Sequence, residues 1–357
     1  MKKEGLSVAV EALATAQFDA VVDTRSPSEY AEDHIPGAIS APVLDDAERA
    51  KVGTMYKQLS PFDAKKLGAT LIARNIARHV ETLFADKGRD WKPLIYCWRG
   101  GKRSAAMAHV LREVGWDART LEGGYRAYRR WVVDALDELP SRFSFTVILG
   151  PTGSGKSRLL KALKRAGSQV LDLEDLAAHR GSVLGNMPDR PRPSQKWFES
   201  QLLAELSGLE PSRTIYVEGE SRKIGEIQVP EALIERMRAS QCLHVDTSLE
   251  SRITLLLEEY RHFVDDTAAL AAQLDCLTAL HGRAKIAEWK SLAARGAWRE
   301  FVARLLIEHY DPAYRRSSTR NFPALSQARV VSIKGAADGD FAAAAQALIT
   351  EREPEYA

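Results

Sequence analysis

The chain has 357 residues, enough for two domains at roughly 100–200 residues each. Hydrophobic residues make up 45% and charged residues 27%, which are ordinary globular values and exclude a largely disordered chain. Fifty Lys and Arg residues against 48 Asp and Glu residues give a formal charge of +2, which excludes a strongly basic nucleic-acid tail but permits a local basic face.

The sequence as a whole predicts a cytoplasmic protein that has no membrane partner. No apolar run reaches the length of about 18 residues that a membrane span needs. Glu11 and Gln17 interrupt the first apolar stretch before a signal sequence develops. Three cysteines are too few for a disulfide framework, which fits a reducing compartment. The sequence leaves the oligomeric state open.

The first part of the chain predicts a small α/β domain. Asp19–Asp23 (DAVVD) and Pro93–Cys97 (PLIYC) are short apolar runs typical of buried strands, with helical patterns between and after them. The segment Glu138–Phe143 contains a proline and precedes a new apolar run, so it marks a boundary. We therefore predict a first domain over residues 1–137 and a second over residues 138–357.

The second part repeats the α/β rhythm and predicts a second parallel sheet. Its apolar runs are separated by helical segments, and they are Phe145–Gly150, Gln169–Leu173, Thr214–Glu218, Cys242–Asp246 and Val330–Ile333. From about Leu249 to His309 the pattern is helical and free of strands. This predicts a helical insertion over about 249–320, before the last strand.

A phosphate-binding motif follows the first strand of the second domain. The pattern GxxxxGKS runs from Gly150 to Ser157 between a strand and a helix, which is the context that makes it specific. Its backbone N–H groups wrap an anion, Lys156 reaches the terminal phosphate and Ser157 ligates Mg²⁺. The predicted diphosphate-binding residues are Gly150, Thr152, Gly153, Ser154, Gly155, Lys156 and Ser157.

A carboxylate at the end of the strand Thr214–Glu218 is the usual partner of such a motif. Glu218 is the first candidate to hold Mg²⁺ together with Ser157, and Glu220 is the second; an ordinary acid at a strand end is the alternative. Leu173–Asn186 contains no recognisable base-binding motif. The pattern therefore leaves open whether the bound compound is a nucleotide.

Cys97 is the candidate nucleophile of the first domain. It ends a predicted strand and opens a loop, WRGGKRS, before a helix that ends at Gly115. Inward-pointing N–H groups, a helix N-terminus and nearby cations all lower the pKa of a thiol. Arg99 and Arg103 are candidates to hold an oxyanion there. The alternative, a small buried hydrophobe, is the interpretation for Cys242 and Cys276.

The first domain resembles the rhodanese domain over about residues 8–135. The resemblance is carried by three segments: Asp23-x-Arg25-x3-Glu29-Tyr30-x3-His34-Ile35-x-Gly37-Ala38, Cys97-x2-Gly100-x2-Arg103-Ser104 and Leu121-x-Gly123-Gly124. In rhodaneses the loop cysteine carries a persulfide and passes sulfur onward. Here five residues separate Cys97 from Arg103, a spacing shared with phosphatase members of that superfamily. This departure implies a tetrahedral, phosphate-type anion rather than simple thiosulfate chemistry.

Nearly the whole chain resembles the tRNA 2-selenouridine synthase family. The similar segments are CWRGGKRS, GPTGSGKS, LEDLAAHRGSVLGN and VEGESRKIG. The resemblance implies an α/β protein with an N-terminal rhodanese-like domain and a C-terminal P-loop parallel-sheet domain. It also implies transfer of selenium from selenophosphate to wobble 2-thiouridine of tRNA, through an S-geranyl intermediate made from geranyl diphosphate. The P-loop then binds an isoprenoid diphosphate, and the Cys97 loop binds the selenium donor.

A tRNA partner requires basic residues, and two segments are candidates. Residues 281–320 hold nine Lys and Arg against four Asp and Glu, and Tyr125–Trp131 (YRAYRRW) mixes arginines with aromatic residues. Core packing is the alternative for most aromatic residues of the first segment, and a solvated helix face is the alternative for the second. The predicted RNA-contacting residues are Arg126, Arg130, Arg283, Lys285, Arg295, Arg315 and Arg316.

Two other classes of protein fit the same motifs. One is a rhodanese-type sulfurtransferase or phosphatase fused to a small-molecule kinase, because the loop spacing and the P-loop both allow it. The other is a nucleotide-gated binding module with an unreactive cysteine. ATP turnover without RNA favours the first, and a thiol inert at neutral pH favours the second.

Overall fold

The computed structural model describes residues 6–15 and 17–350. The chain forms two compact units: Met1–Ala135 with Pro193–Ala204, and Leu136–Arg192 with Glu205–Ala357. The predicted boundary after residue 137 lies close to the first of these divisions. No pattern in the sequence predicts that Pro193–Ala204 joins the first unit. Residues 1–5, 16 and 351–357 of the predicted domains lie outside the described residues.

The first unit is built on a parallel five-stranded sheet with the order β1-β5-β4-β2-β3. Its strands are β1 (Ser7–Val8), β2 (Ala20–Asp23), β3 (Ile39–Ser40), β4 (Pro93–Tyr96) and β5 (Arg119–Leu121). The central strand β4 is buried at every position, as expected for a strand covered on both faces. Both predicted strands of this domain are therefore present, and the three shorter strands extend the sheet.

Helices cover the sheet of the first unit and bury a core around Ile95, Met107 and Leu111. They are α1 (Ala12–Thr15), α2 (Pro27–Glu32), α3 (Asp46–Gln58), α4 (Pro61–Glu81), α5 (Lys102–Val114) and α6 (Gly124–Glu138). Local sequence sets their ends. The side chain of Asp45 caps α3 by accepting from the backbone of Glu48, and Gly115 ends α5 at φ +111°.

The second unit is built on another parallel five-stranded sheet, with the order β12-β11-β6-β8-β7. Its strands are β6 (Phe145–Leu149), β7 (Gln169–Leu171), β8 (Ile215–Glu218), β11 (Gln241–Thr247) and β12 (Arg329–Ile333), and a separate hairpin pairs β9 (Lys223–Ile224) with β10 (Ile227–Gln228). All five predicted strands are present. The strands β6, β7 and β8 lie side by side, which sets three strand ends next to one another.

The helices of the second unit fall into two groups. One group alternates with the strands of the sheet: α7 (Lys156–Arg165), α8 (Leu173–Leu176), α10 (Glu231–Arg238) and α17 (Asp338–Thr350). Most of α9 (Gln195–Ser207) belongs to the first unit. The other lies between β11 and β12: α11 (Leu249–Glu259), α12 (Arg261–Asp265), α13 (Thr267–Asp275), α14 (Thr278–Ala294), α15 (Trp298–Leu305) and α16 (Asp311–Asn321). A π-helical turn, Leu306–Tyr310, connects α15 to α16. The predicted helical insertion is therefore present.

The insertion has its own apolar core, centred on the fully buried Trp289. The two parallel sheets and the insertion confirm the predicted fold class. None of the helices in residues 6–15 and 17–350 is both long and apolar enough to cross a membrane.

Candidate active sites in the two units

Cys97 lies at the carboxyl end of β4, in the loop that leads into α5. The backbone N–H of Gly101 donates to its Sγ at 3.2 Å, and Ser104 Oγ lies 3.2 Å from the same sulfur. Burial by itself raises the pKa of the thiol, but hydrogen bonds from Ser104 and from the backbone of Arg99 and Gly101 outweigh it. The pKa of Cys97 is thus held below its ordinary value. The residue is 3% exposed, so the loop covers most of it.

The loop is held close to the start of α6 by glycine. A Cβ on Gly124 would lie 2.2 Å from the carbonyl oxygen of Cys97 and 2.4 Å from the backbone nitrogen of Gly100, and the φ of Gly124 is +57°. The backbone N–H of Tyr125 donates to the same carbonyl at 2.8 Å. Only glycine permits this approach, which is the physical reason for the Gly123-Gly124 pair in the sequence pattern.

The two arginines predicted beside the thiol have different surroundings. Arg99 is exposed on the loop, whereas Arg103 is partly buried and its Nη1 lies 3.3 Å from Glu29 Oε2. Glu29 also pairs with Arg49, at 3.2 Å. An anion bound in the loop therefore competes with Glu29 for Arg103. Glu29 and Ser104 belong to the sequence pattern, but the sequence assigns neither of them a role.

A buried ionic network supports the loop from behind. Arg25 Nη2 donates to Asp23 Oδ2 at 2.6 Å, and these two residues are 1% and 0% exposed. Tyr96, the residue before Cys97, donates its hydroxyl to the same carboxylate at 2.7 Å. The guanidinium of Arg25 also lies 3.9 Å from the ring centroid of Tyr125. Because Asp23 ends β2 and Tyr96 ends β4, this network joins the two strands. Removing one partner of a buried ion pair typically lowers the free energy of unfolding by about 3–5 kcal/mol.

Replacing Ser104 by alanine is expected to raise the pKa of the Cys97 thiol. The hydroxyl has one proton and two acceptors, Sγ at 3.2 Å and the carbonyl of Gly101 at 3.1 Å, and the thiolate is the stronger acceptor. Because the thiolate reacts, alkylation accelerates as pH rises through the pKa, and the variant should need a higher pH. At neutral pH, we expect alkylation of Cys97 to slow by roughly tenfold.

The rate is measured with iodoacetamide, followed by mass spectrometry of the peptide that contains Cys97. The sequence interpretation of Cys276 as buried is wrong, because this residue caps the C-terminal end of α13 and is exposed. Cys276 is therefore the internal control, and its rate should not change. An identical pH profile in wild type and variant would show that Ser104 does not stabilise the thiolate.

In the second unit, the predicted phosphate loop joins β6 to α7. Gly153 and Gly155 have φ values of +76° and +84°, and a Cβ on Gly155 would lie 2.4 Å from the ring of Phe341. Lys156 Nζ donates to the carbonyl of Gly150 at 3.1 Å, across the loop. All seven predicted residues from Gly150 to Ser157 thus belong to one short turn at the N-terminus of a helix.

Two residues from other elements hold this loop in place. Thr247, at the end of β11, donates its hydroxyl to the carbonyl of Ser154 at 2.9 Å. Arg252, on α11, donates Nε to the carbonyl of Thr152 at 2.9 Å and pairs with Asp311 at 2.6 Å. The helical insertion therefore contacts the phosphate loop directly.

Three carboxylates meet beside the loop. Oxygen atoms of Glu174, Glu218 and Glu220 lie within 4.8 Å of one another, and Ser157 Oγ donates to Glu174 at 3.3 Å. Burial and then mutual repulsion raise the pKa of Glu174 to about 8 and of Glu220 to about 7, and raise the pKa of Glu218 well above its ordinary value. The charge of Lys156 opposes all three increases.

These residues fit a hard divalent cation. Glu218 is 0% exposed, and neither of its oxygens has a hydrogen-bond partner among the described residues. Such oxygens are costly to bury, and a bound cation would remove the cost. The side chains of Ser157, Glu174, Glu218 and Glu220 offer oxygen ligands, the type that Mg²⁺ prefers.

The sequence did not predict Glu174. It follows β7, and the sheet order places β7 beside β8, so its carboxylate reaches Glu218 across strand ends. Acidic residues that follow neighbouring parallel strands are the signal that could have found it.

A cavity of about 730 Å³ surrounds the loop and the carboxylates. The P-loop, Glu174 and Glu220 line one part of it, and the helical insertion contributes Tyr260, His309, Tyr310 and Tyr314. The cavity thus combines an anion-binding turn, an acidic cluster and aromatic side chains within the second unit.

The residues predicted to contact RNA fall into two groups. Five of the nine basic residues in the 281–320 segment form ion pairs with nearby acids, and these are Lys285, Lys290, Arg295, Arg299 and Arg304. The predicted residues that are exposed on helices are Arg126 and Arg130 on α6, Arg283 on α14, and Arg315 and Arg316 on α16. The ion pairs therefore neutralise part of the local basic excess.

The fold and these sites define a class of protein: a rhodanese-like domain with a loop thiol, joined to a P-loop domain. Residues 7–130 match the family model for the rhodanese-like domain, and residues 143–278 match the model described as the tRNA 2-selenouridine synthase AAA domain. The chain belongs to the tRNA 2-selenouridine synthase family. This is the family that the sequence motifs indicated.

Two similar relatives show the extent of the likeness. The tRNA 2-selenouridine synthase of Shewanella halifaxensis is 31% identical over 323 residues, covering 82% of this chain and 87% of the relative. That of Nitrosomonas europaea is 37% identical over 67% of this chain. The chain spans 63% of the length of that relative and 65% of the one from Nitrosomonas eutropha, which is less than two thirds in both.

Proposed function

We propose that this chain converts wobble 2-thiouridine of tRNA into 2-selenouridine by two successive transfers. The P-loop cavity transfers a geranyl group from geranyl diphosphate to the sulfur, and the Cys97 loop supplies selenium from selenophosphate. The observation that carries the proposal is the similarity to tRNA 2-selenouridine synthases across both domains, including a relative matched over 87% of its length. The two sites have the chemistry that each transfer needs.

The first transfer makes the sulfur a better leaving group. The thiocarbonyl sulfur of 2-thiouridine attacks C1 of the geranyl chain, the C1–O bond breaks and diphosphate departs, while the base loses its N3 proton. The backbone N–H groups of the Gly150–Ser157 turn and the ammonium of Lys156 would hold the departing diphosphate. The same groups bind the diphosphate of the substrate, so they position C1 towards the base.

The carboxylate cluster fits a supporting role in this transfer. Ser157, Glu174, Glu218 and Glu220 would hold Mg²⁺, which as a Lewis acid would stabilise negative charge on a departing diphosphate. Lys156 keeps part of the cluster ionised, because its charge lowers the pKa of all three acids.

The second transfer uses the thiolate of Cys97. We propose that Sγ attacks phosphorus of selenophosphate, so that an S–P bond forms and the P–Se bond breaks with its electron pair on selenium. The selenide then attacks C2 of the S-geranylated base, the C2–Se bond forms and geranyl thiol leaves. Water later releases phosphate from the cysteine. Arg99 and Arg103 would hold the phosphate oxygens, Arg103 by exchanging Glu29 for the substrate.

Incubation of the protein with 2-thiouridine-containing tRNA should separate the two transfers. With geranyl diphosphate alone, we expect only the S-geranyl nucleoside, and with selenophosphate added we expect 2-selenouridine. Mass spectrometry of the wobble nucleoside distinguishes the two products by mass. ATP turnover without RNA, together with unchanged tRNA, would instead support a sulfurtransferase or phosphatase fused to a small-molecule kinase.

A further inference from the structure

A narrow apolar pocket adjoins the phosphate cavity of the second unit. The two share five lining residues: Thr152, Ser182, Leu256, Tyr260 and Tyr310. Thr152 belongs to the phosphate loop itself, so the pocket begins where a bound diphosphate would end. Both lie within one compact unit, and their relative position is therefore fixed by a single packed core.

The lining of this pocket changes sharply in polarity beyond the shared residues. The remaining side chains are leucine, valine, phenylalanine and tryptophan, most of them from the helical insertion. Among the described residues that line it, none carries a charge. Its free space of about 50 Å³ holds about four groups the size of a water molecule or methyl group, since each takes roughly 10–15 Å³ on the same measure.

We infer that this pocket receives the distal isoprene unit of the allylic diphosphate while the diphosphate lies in the Gly150–Ser157 turn. The inference rests on the proposed function and adds to it the location of the chain and a limit on its length. A nucleobase or ribose is a poor occupant, because its polar atoms would enter a lining that offers hydrogen-bond partners only at the shared rim. A branched unit of five carbons matches the apolar lining and, to within about one methyl group, the free space.

The pocket should contribute binding energy that inorganic pyrophosphate cannot use. Each methylene group moved from water into an apolar pocket strengthens binding roughly fourfold. Ordering the chain opposes this gain, so we expect geranyl diphosphate to bind at least about tenfold more tightly than pyrophosphate.

The test is a space-filling variant with a matched control. Val264, on α12, lines the pocket and is partly exposed, so Val264→Phe fills the space with little cost to the fold. Ile307 is 55% exposed beside the pocket residue Leu306 but does not line the pocket, so Ile307→Phe is the control. We expect Val264→Phe to weaken geranyl diphosphate binding at least about tenfold. Its affinity for pyrophosphate should stay unchanged, and the control should behave as wild type.

A second variant tests the limit on chain length. Trp298 lines the pocket and is partly exposed, so Trp298→Ala should enlarge the pocket and raise kcat/KM for farnesyl diphosphate relative to geranyl diphosphate. Geranyl transfer with an unchanged KM in Val264→Phe, and an unchanged chain preference in Trp298→Ala, would overturn the inference while leaving the proposed transfer intact. If the wild-type protein binds ATP but not geranyl diphosphate and makes no S-geranyl nucleoside, both the pocket assignment and the proposed function fail.

Discussion

Replacing Cys97 by alanine is expected to abolish selenium transfer while leaving S-geranylation at the wild-type rate. Under the proposed function, the thiolate of Cys97 is the nucleophile of the second transfer, and alanine has no group that can replace it. The loss should be at least about a thousandfold, as for removal of a covalent nucleophile. Under the same proposal, geranylation uses the phosphate loop of the second unit, which this substitution does not alter. The two activities are measured separately, by the S-geranyl nucleoside and by 2-selenouridine.

Cys242→Ala is the matched control for this prediction. Cys242 is buried in β11, and burial raises the pKa of its thiol, so it should contribute to neither transfer. Supplying tRNA that already carries the S-geranyl group removes any dependence on the first step. Selenation by the Cys97→Ala protein at the wild-type rate would refute the role of Cys97. Loss of both activities with an unchanged circular dichroism spectrum would show instead that the two transfers share this residue.

The longer elements of the fold were predictable because their patterns are local. Phe145–Leu149 and Pro93–Tyr96 are apolar at nearly every position, which is the pattern of strands covered on both faces of a sheet. The strands Ser7–Val8 and Ile39–Ser40 have two residues each, too few for any periodicity. They form because partner strands supply hydrogen bonds from far along the chain, as Ser7 pairs with Thr120.

The candidate sites also combine features that local sequence predicts with features that depend on distant contacts. The Gly150–Ser157 turn is continuous in sequence, so its spacing predicts the whole anion site. The contact of Glu174 with Ser157 depends instead on the order of strands β6, β8 and β7, which no local pattern specifies. The near burial of Cys97 likewise follows from the packing of Gly124 against the loop, a contact between residues far apart in sequence.

For the basic residues of the helical insertion, a count of charges along the sequence does not reveal which of them form ion pairs. The excess of Lys and Arg over acids in residues 281–320 is real, but Lys285 and Arg295 form ion pairs with Glu308 and Glu300. Lys290 pairs with Asp275, which lies outside that segment, so a count along the sequence overestimates the free charge. The aromatic residues of the segment are also divided: Trp289 is in the core, whereas Tyr310 and Tyr314 line the phosphate cavity.

Replacing Lys156 by alanine is expected to have the opposite effect to the Cys97 substitution. S-geranylation should fall by about a hundredfold to a thousandfold, because one preorganised charge on the departing group is lost. Geranyl diphosphate and pyrophosphate should both bind more weakly, which separates this effect from that of the apolar pocket. Selenation of tRNA that is already S-geranylated should continue at the wild-type rate. Nucleoside mass spectrometry measures both transfers.

Lys161→Ala is the matched control, because Lys161 lies on α7, lines the same cavity and is exposed. It removes an equal charge outside the GxxxxGKS motif, so its effect on geranylation should be within a few fold of wild type. Equal losses in the two variants would mean that the cavity attracts its substrate only by general charge. If Lys156 itself binds the departing diphosphate, only the Lys156→Ala variant should lose geranylation.

The Lys156→Ala variant should also show a shifted pH dependence. Without the charge of Lys156, the pKa values of Glu174 and Glu220 rise further, so residual geranylation should need a higher pH.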